Sequence, residues 1–588
     1  MKKWLKWQKS LAKNLLLSKK LATSLSARLA LIVGLSGLIY LLVFTLPFPL
    51  SSFYATIPPV DYTKLTGYSW SGFIAYVAGL GVLFGLYIWA VRLAAPEEAR
   101  RRGAEEQRSG GAREQERKKD EEHYVPIWLV FVSGLALAVI LIFSYPVTAI
   151  DLFIYAIRSR GWALYGFNPL TTPPQALPAA DPWLGLAAEW RDAPSPYGPL
   201  WEWLSLGAFH LSGGDFLSHL LVLKMVAVLA YLGSAWLVYR ILQQFQPQWA
   251  IAGTISFAWS PLVLLESAQN GHNDIVMVFF LLAAVWVLEE AKTRRREEAK
   301  GHLKASAQPP IASFLSPSRL YSLLLVCLFL GLSILVKFVT LLLAPFFLLA
   351  ITAATKSWAK RLALMMGYGL TVAVLVVLPM LPLWPGRNNW AVLQAGSGAG
   401  RSLLALLVLA FKDAWGINFA FDTSRSLLFL IYGLIYLYFL WQMVRSEKSV
   451  TSSQKSVVSS QISTVSDQWF GSREPTFQSS SLPTFLTPSF HVLFWYVLLV
   501  APVFHAWYLL WFLPLAALML PQQRPLIVAT VFSITALFII PYFETIRVWY
   551  PVLLASPFLG HLIGVPLLLV PPALALLWPI SPSAKSEV

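Results

Sequence analysis

Charge is scarce in this chain: 13% of its 588 residues are Asp, Glu, Lys or Arg, against 57% hydrophobic. That balance excludes both a soluble domain with an ordinary solvated surface and a disordered chain. Cysteine is scarcer still. The one thiol, Cys327, lies within an apolar run and excludes an internal disulfide. Neither a Walker loop nor a dinucleotide fingerprint occurs, so no nucleotide site is expected. No ligand set has a recognised metal spacing. A divalent metal is compatible with the chain but unsupported by any motif, and no cofactor is expected. No internal repeat is evident. Acids are absent from the first 29 residues, which carry Lys2, Lys3, Lys6, Lys9, Lys13, Lys19, Lys20 and Arg28.

What the chain has in abundance is apolar length. Runs near 20 residues recur from end to end and predict transmembrane helices. A net charge of +16 would suit a nucleic-acid partner in a soluble protein. Here Lys and Arg gather between apolar runs, so the positive-inside rule accounts for them and no nucleic acid is expected. Leu29 to Leu46 lacks a small-residue cleavage site and reads as a retained span with a cytoplasmic amino terminus. Phe73 to Leu93 returns to a charged segment, Pro96 to His123. Alternating runs follow: Ile127 to Phe143, Phe216 to Leu242, Ile251 to Leu265, Ile275 to Leu288, Tyr321 to Val336, Phe338 to Ala353, Leu362 to Leu381 and Ser426 to Val444. Val492 to Val503, Trp507 to Leu520, Leu526 to Ile540 and Val552 to Leu577 complete the set.

The expected fold is all-α: a polytopic integral membrane protein of about fourteen transmembrane helices, with a large outer loop carrying interfacial helices. Four regions follow from it. Residues 1–124 form a two-span extension and charged cytoplasmic linker, 125–445 the membrane core, and 491–588 the C-terminal helices. Residues 446–490, rich in Ser, Thr and Gln, read as a disordered cytoplasmic loop.

This topology rests on charge and apolar length alone. It places Asp151 to Asp215, Glu266 to Asp274, Trp384 to Arg401, Phe504 to Trp507 and Tyr542 to Tyr550 on the outer side. Those segments hold most of the unusual polar and aromatic residues, as a site at the outer surface would require. On a helix, Asp151, Tyr155 and Arg158 share one face, either as a site or as a solvated ion pair. The long loop Gly161 to Trp203 contains Asn168-Pro169, the acids Asp181, Glu189 and Asp192, and Tyr197-Gly198-Pro199-Leu200-Trp201. Loops longer than about 15 residues are usually functional or disordered. Its tryptophans also suit an interfacial anchor. Glu266, Gln269, Asn270, Gly271, His272, Asn273 and Asp274 crowd one short connection. Gly271 and Asn273 fit a turn and Asp274 a helix cap; His272 could donate to an anion or serve in acid–base chemistry. Lys337 and Lys224 could snorkel or bind phosphate in a cavity, and Arg387 and Arg401 are weaker candidates. His505 precedes Trp507 and Tyr508, ordinary belt residues, and could share a cavity with His272.

As an ordered set, these motifs resemble those of the GT-C glycosyltransferases. The nearest likeness is to the polyprenol-phosphomannose-dependent alpha-mannosyltransferases and related uncharacterised integral membrane glycosyltransferases. It runs roughly from Ile127 to Leu520, making 125–445 a GT-C-like catalytic core. The resemblance implies a polyprenyl phosphate sugar donor, mannose favoured, and a glycan or glycolipid acceptor. It implies an active site on the outer face of the plasma membrane, with the lipid bilayer as surroundings. By position, Asp151 matches the family's general base, with Asp181, Glu189 and Asp192 as rivals.

The chemistry suits these residues. An attacking hydroxyl must lose a proton, and a departing lipid phosphate needs cationic or N–H donors. Arg158, His272, Lys337 and His505 are the expected phosphate ligands. Tyr155, Asn168, Tyr197, Asn270, Asn273, Asp274, Trp507 and Tyr508 are the expected substrate contacts. A transporter or flippase of lipid-linked sugars is the alternative, but such proteins usually bind at the midplane between repeats. A scaffolding protein would leave the outer clusters without a purpose.

Overall fold

A computed structural model describes residues 25–55, 69–96, 125–146, 149–187, 190–304, 317–353, 355, 357–384, 386, 399–463 and 482–578. The charged linker, the N-terminal lysines, Glu189 and Arg387 lie outside them. Among the described residues the chain is helical throughout, with two isolated bridges, Pro49 to Ser144 and Gly400 to Val503. The protein is an all-α integral membrane protein.

Among the described residues, seven helices are long and apolar enough to cross a membrane: Leu25–Thr45, Trp70–Ala94, Phe216–Phe245, Trp358–Leu383, Ile417–Ser446, Arg524–Trp549 and Pro557–Leu577. Pro247–Ala258 and Pro261–Gln269, bent by 52°, make an eighth if the pair is one span. Pro261 opens the second half, where its missing N–H costs nothing. Ile127–Ile142, Leu320–Val336, Phe338–Thr352, Thr484–Val500 and Ala506–Leu518 are shorter apolar helices. Ile275 to Leu288 is the apolar part of the helix Asp274–Lys304. Every apolar run is thus helical, but only some reach membrane length unaided. The 16 residues of Ile127–Ile142 rise about 24 Å, short of a hydrocarbon core of about 30 Å.

The short helices matter because of where they stop. Leu320–Val336 ends at Lys337, and His505 separates Thr484–Val500 from Ala506–Leu518. Ile127–Ile142 ends just before Asp151. Its terminal carbonyls are tied down by the membrane-long helix Phe216–Phe245: Lys224 Nζ donates to Ile142 O at 3.0 Å and to Ser144 O. Gln269 Nε2 adds bonds to Tyr145 O, at 3.1 Å, and to Ser144 Oγ. Orphan carbonyls at a helix end need such donors. Lys224 is therefore engaged in fixing the entry to the Asp151 helix, not in lining a cavity.

The helix beginning at Ile417 runs to Ser463, where the sequence reading has a disordered loop. No glycine or proline lies between Gly433 and Gly471 to stop it. Residues 464–481 lie outside the described residues.

Candidate active site

Two non-spanning helices, Asp151–Tyr165 and Pro199–Leu211, pack together and carry the first part of the site. Asp151 is the first residue of its helix and is 6% exposed. The partial positive charge at a helix N-terminus favours a carboxylate there. Tyr197 Oη donates to Asp151 Oδ2 at 2.9 Å, and Tyr155 Oη lies 3.3 Å from Tyr197 Oη. The Tyr155 ring stands edge-on to Tyr197 and Trp201, at 5.3 and 5.1 Å between centroids. Burial, and then the Asp151 charge, push both phenols well above the ordinary tyrosine range, so they stay protonated as donors.

Tyr197 reaches this position because Gly198 passes close to the end of Leu320–Val336. Gly198 N donates to Val336 O at 3.0 Å, and a Cβ on Gly198 would stand 2.0 Å from Leu335 O. Only glycine permits that approach. It also brings Tyr197 beside Lys337.

Lys337 is the second centre. Its Nζ lies 2.8 and 3.0 Å from the carboxylate oxygens of Asp274. Three rings surround the ammonium, those of Tyr197, Tyr508 and Trp511, with centroids at 5.5, 5.4 and 5.5 Å. A desolvated cation over one such ring gains up to about 2 kcal/mol. Trp511 Nε1 also donates to Asp274 Oδ1. Asp274 is completely buried, whereas the Lys337 side chain keeps 15% exposure. The Lys337 side chain therefore keeps some exposure while its counter-ion keeps none.

The third centre is a stack. Trp507 lies between the imidazoles of His272 and His505, with centroid distances of 4.0 and 4.2 Å and interplanar angles of 23° and 21°. His272 Nε2 stands 3.2 Å from Glu266 Oε2, close but not aligned for a hydrogen bond. Asn270 Nδ2 donates to the same Glu266 oxygen at 2.8 Å. Asn273, also fully buried, has no aligned partner for either side-chain atom. Burial, then the charges of Arg401, Lys337 and His272, hold His505 well below the usual imidazole range. Arg401 lies beyond it, ion-paired with Glu544 at 3.3 Å and 30% exposed. Its φ of 52° is unusual for a side-chain-bearing residue. Bonds from Gly400 N and Ser402 Oγ to Pro502 O fix it there.

Three sequence candidates are placed otherwise. Arg158 is 5% exposed, and its Nη2 donates to the carbonyls of Ala193 and Pro194 at 3.0 and 3.2 Å. Asn168 closes a local turn by accepting from Leu170 N and donates to Leu383 O at 3.1 Å. Asp181 is not in a solvated loop: it is buried, and accepts from Arg160 Nε, Tyr165 Oη and Trp183 N. Burial opposes its charge, but those donors outweigh it and hold the carboxyl below the ordinary range. Asp192 is exposed as expected. Glu202 was not singled out from sequence. It is 3% exposed and accepts from Ser195 Oγ. An acid in the first turn of a helix is ordinary, so nothing local marked it. Among the described residues no group of three or more His, Cys, Asp or Glu could hold a metal ion.

Asp151, Tyr155, Tyr197, His272, Asp274, Lys337, His505, Trp507 and Tyr508 thus gather from five separated stretches of chain. The arrangement can take a proton at a buried carboxylate and receive an anion beside an accessible ammonium.

Comparison with known proteins identifies relatives of this chain. The chain is 27% identical over 143 residues to an alpha-(1->6)-mannopyranosyltransferase A of Corynebacterium glutamicum, covering 24% of this chain and 29% of that protein. It is 26% identical over 106 residues to an alpha-(1->6)-mannopyranosyltransferase of Mycobacterium tuberculosis, covering 17% of each. The chain therefore aligns with less than a third of either relative's length. No solved structure matches it. A family described as alpha-(1->6)-mannopyranosyltransferase, N-terminal domain, matches residues 51–353. That match takes in the Trp70–Ala94 helix, which the sequence reading left outside its resemblance, and ends before His505. Spanning more than half of the chain, it shows that this protein belongs to the alpha-(1->6)-mannopyranosyltransferase family.

Proposed function

We propose that the protein is a membrane mannosyltransferase that takes its sugar from a polyprenyl phosphate and delivers it to a hydroxyl of a glycan or glycolipid on the outer membrane face. The observation that carries this reading is the pairing of a buried helix-terminal carboxylate, Asp151, with an accessible, ring-enclosed ammonium, Lys337, through the single side chain Tyr197. Asp151 accepts the proton of the acceptor hydroxyl as its oxygen attacks the anomeric carbon. The bond from that carbon to the phosphate oxygen breaks, and polyprenyl phosphate leaves with the electron pair. Direct displacement inverts the anomeric centre.

Lys337, His505 and Arg401 form the phosphate end of this reading, because each keeps some exposure. Arg158 and His272 are buried and act from behind: Arg158 on the loop, His272 on Trp507. The two cations Lys337 and Arg401, with the neutral His505 as an N–H donor, would face the developing phosphate charge in a site of low dielectric and stabilise the leaving group. Helices of several lengths support the reading physically. Those that stop short could let a headgroup meet Lys337 and His505 while its tail stays in lipid.

The test is incubation of purified protein with defined polyprenyl phosphate sugars and candidate acceptors, followed by product analysis. A mannosylated product with an inverted linkage is expected. Facilitated movement of the donor across vesicles without transfer would instead support the transporter alternative.

Sidedness is a separate prediction. Cysteines at the exposed positions Ala180 and Asp192, in a Cys327→Ser background, should react with an impermeant thiol reagent added from outside. Cysteines at Arg294 and Lys360, also exposed, should react only after permeabilisation. Gly271 is unsuitable for such a probe: its φ is +69° and a Cβ would meet Leu152 at 2.9 Å. The reverse labelling would place the site on the cytoplasmic face.

A further inference from the structure

The turn Ala193–Gly198 is held more firmly than a connection between two short helices requires. Ser195 N donates to Pro169 O at 2.8 Å, and Gly198 N donates to Val336 O at 3.0 Å. Arg158 Nη2 grips the carbonyls of Ala193 and Pro194. Glu202, from the helix that follows, accepts from Ser195 Oγ, and Ser195 Oγ in turn accepts from Tyr197 N at 3.3 Å. Glu202 and Arg158 are both buried, at 3% and 5% exposure. Burying two such groups is costly, and here Glu202 Oε1 and Arg158 Nη2 are bonded while Arg158 Nε is not. Burial raises the Glu202 carboxyl above its ordinary range, and Arg158 and then Ser195 offset only part of that rise.

Neither group has a role in the chemistry above. The bonds that Glu202 and Arg158 make run to the turn, not to Asp151 or Lys337. What the turn delivers is Tyr197, whose hydroxyl bridges Asp151 and Tyr155 and whose ring faces the Lys337 ammonium. We infer that Glu202 and Arg158 form a buried clip on the Ala193–Gly198 turn, positioning Tyr197 and so aligning Asp151 with the sugar donor. This deepens the proposed function and rests on Asp151 being the base. Glu202 and Arg158 are positioning residues that act through Ser195 and the two carbonyls.

The physical reason for a charged clip is stiffness. A misplacement of about 1 Å in a reacting geometry can cost about 100-fold in rate. Without the clip the turn would keep only its two backbone ties, Ser195 N to Pro169 O and Gly198 N to Val336 O. The Glu202–Ser195 bond and the Arg158–carbonyl bonds hold it from opposite ends, one on each helix.

The experiment is a double-mutant cycle between Glu202→Gln and Tyr197→Phe, read as kcat and donor KM in the purified full-length protein. Glu202→Gln keeps the shape of the side chain and removes its charge. It should lower kcat by about 10- to 100-fold with donor KM nearly unchanged. In the Tyr197→Phe background the same change should cost less than about threefold, because the group it positions is gone. Ser195→Ala, which leaves both charges in place, should reproduce the Glu202→Gln loss and not add to it. It serves as the second variant if Glu202→Gln folds poorly. Losses that multiply, a loss confined to KM, or full turnover in Tyr197→Phe would each overturn the clip. Full turnover in Asp151→Asn would instead remove the base assignment, while the coupling between Glu202 and Tyr197 would still be read from the same cycle.

Discussion

Asp151→Asn is expected to lower sugar transfer by about 10²- to 10⁴-fold, the usual range for loss of a general base. The amide keeps the shape and can still accept from Tyr197 Oη, now 2.9 Å from Asp151 Oδ2. Folding and donor binding should therefore survive. The carboxylate owes its setting to the N-terminus of its own helix and to the Tyr197 hydroxyl. Arg158, three helical residues beyond Tyr155, is turned to the Ala193 and Pro194 carbonyls instead.

The rival acids separate cleanly in the same assay. Asp192→Asn changes an exposed residue and should have little effect. Asp181→Asn weakens a buried anchor for Arg160, Tyr165 and Trp183, so its loss should appear in thermal stability rather than in turnover per folded molecule. The measurement is transfer rate at matched protein level and matched donor binding. Near wild-type turnover in Asp151→Asn would falsify the assignment.

Asp274→Asn should destabilise the site. It leaves the Lys337 ammonium, 15% exposed, without its counter-ion. Breaking a buried pair by removing one partner typically costs about 3–5 kcal/mol. Lys337→Met should cost at least as much, because the fully buried Asp274 then keeps Trp511 Nε1 as its remaining charge-stabilising donor from this cage. The double variant Asp274→Asn/Lys337→Met should recover much of the lost stability, since no buried charge is stranded. It should not recover donor use. Losing one charge-assisted hydrogen bond costs about 1.5–3 kcal/mol, or roughly 10- to 150-fold in donor affinity. Thermal unfolding in detergent and inhibition by free polyprenyl phosphate measure the two parts separately. If Lys337→Met keeps normal inhibition by that lipid, the phosphate lies elsewhere. If the double variant is no more stable than Asp274→Asn, the pair does not behave as a buried ion pair.

Residues from beyond the family match also reach the candidate site. Arg401, His505, Trp507, Tyr508 and Trp511 all follow residue 353, where that match ends. Yet Trp511 donates to Asp274, Trp507 stacks on His272, and Tyr508 and Trp511 face Lys337. The two halves of the chain therefore build one site.

Much of this was legible from the order of residues. Apolar length and the gathering of Lys and Arg between runs determine an all-α membrane protein, because backbone groups in hydrocarbon must bond within their own helix. Periodicity places Asp151 and Tyr155 one turn apart, and both do meet Tyr197. Composition also marks Glu266 to Asp274 as unusual, and His505 for its place directly before ordinary belt aromatics. Tertiary structure alone decided which of these side chains face each other. Arg158 shares a helical period with Asp151, but period says nothing of the turn at Ala193 that its guanidinium meets. Asp274 has the look of a cap from sequence, and the cage that makes it a counter-ion comes from Lys337, 63 residues away, and Trp511, 237 away. Glu202 resembled any first-turn acid until Ser195 and Arg158 were folded against it. Local sequence sets helix, face and membrane preference, because those depend on neighbours within a turn or two. Which buried charge finds a partner depends on how distant helices stop and cross, and here that is set by Gly198 against Leu335 and by Lys224 on the carbonyls before Asp151.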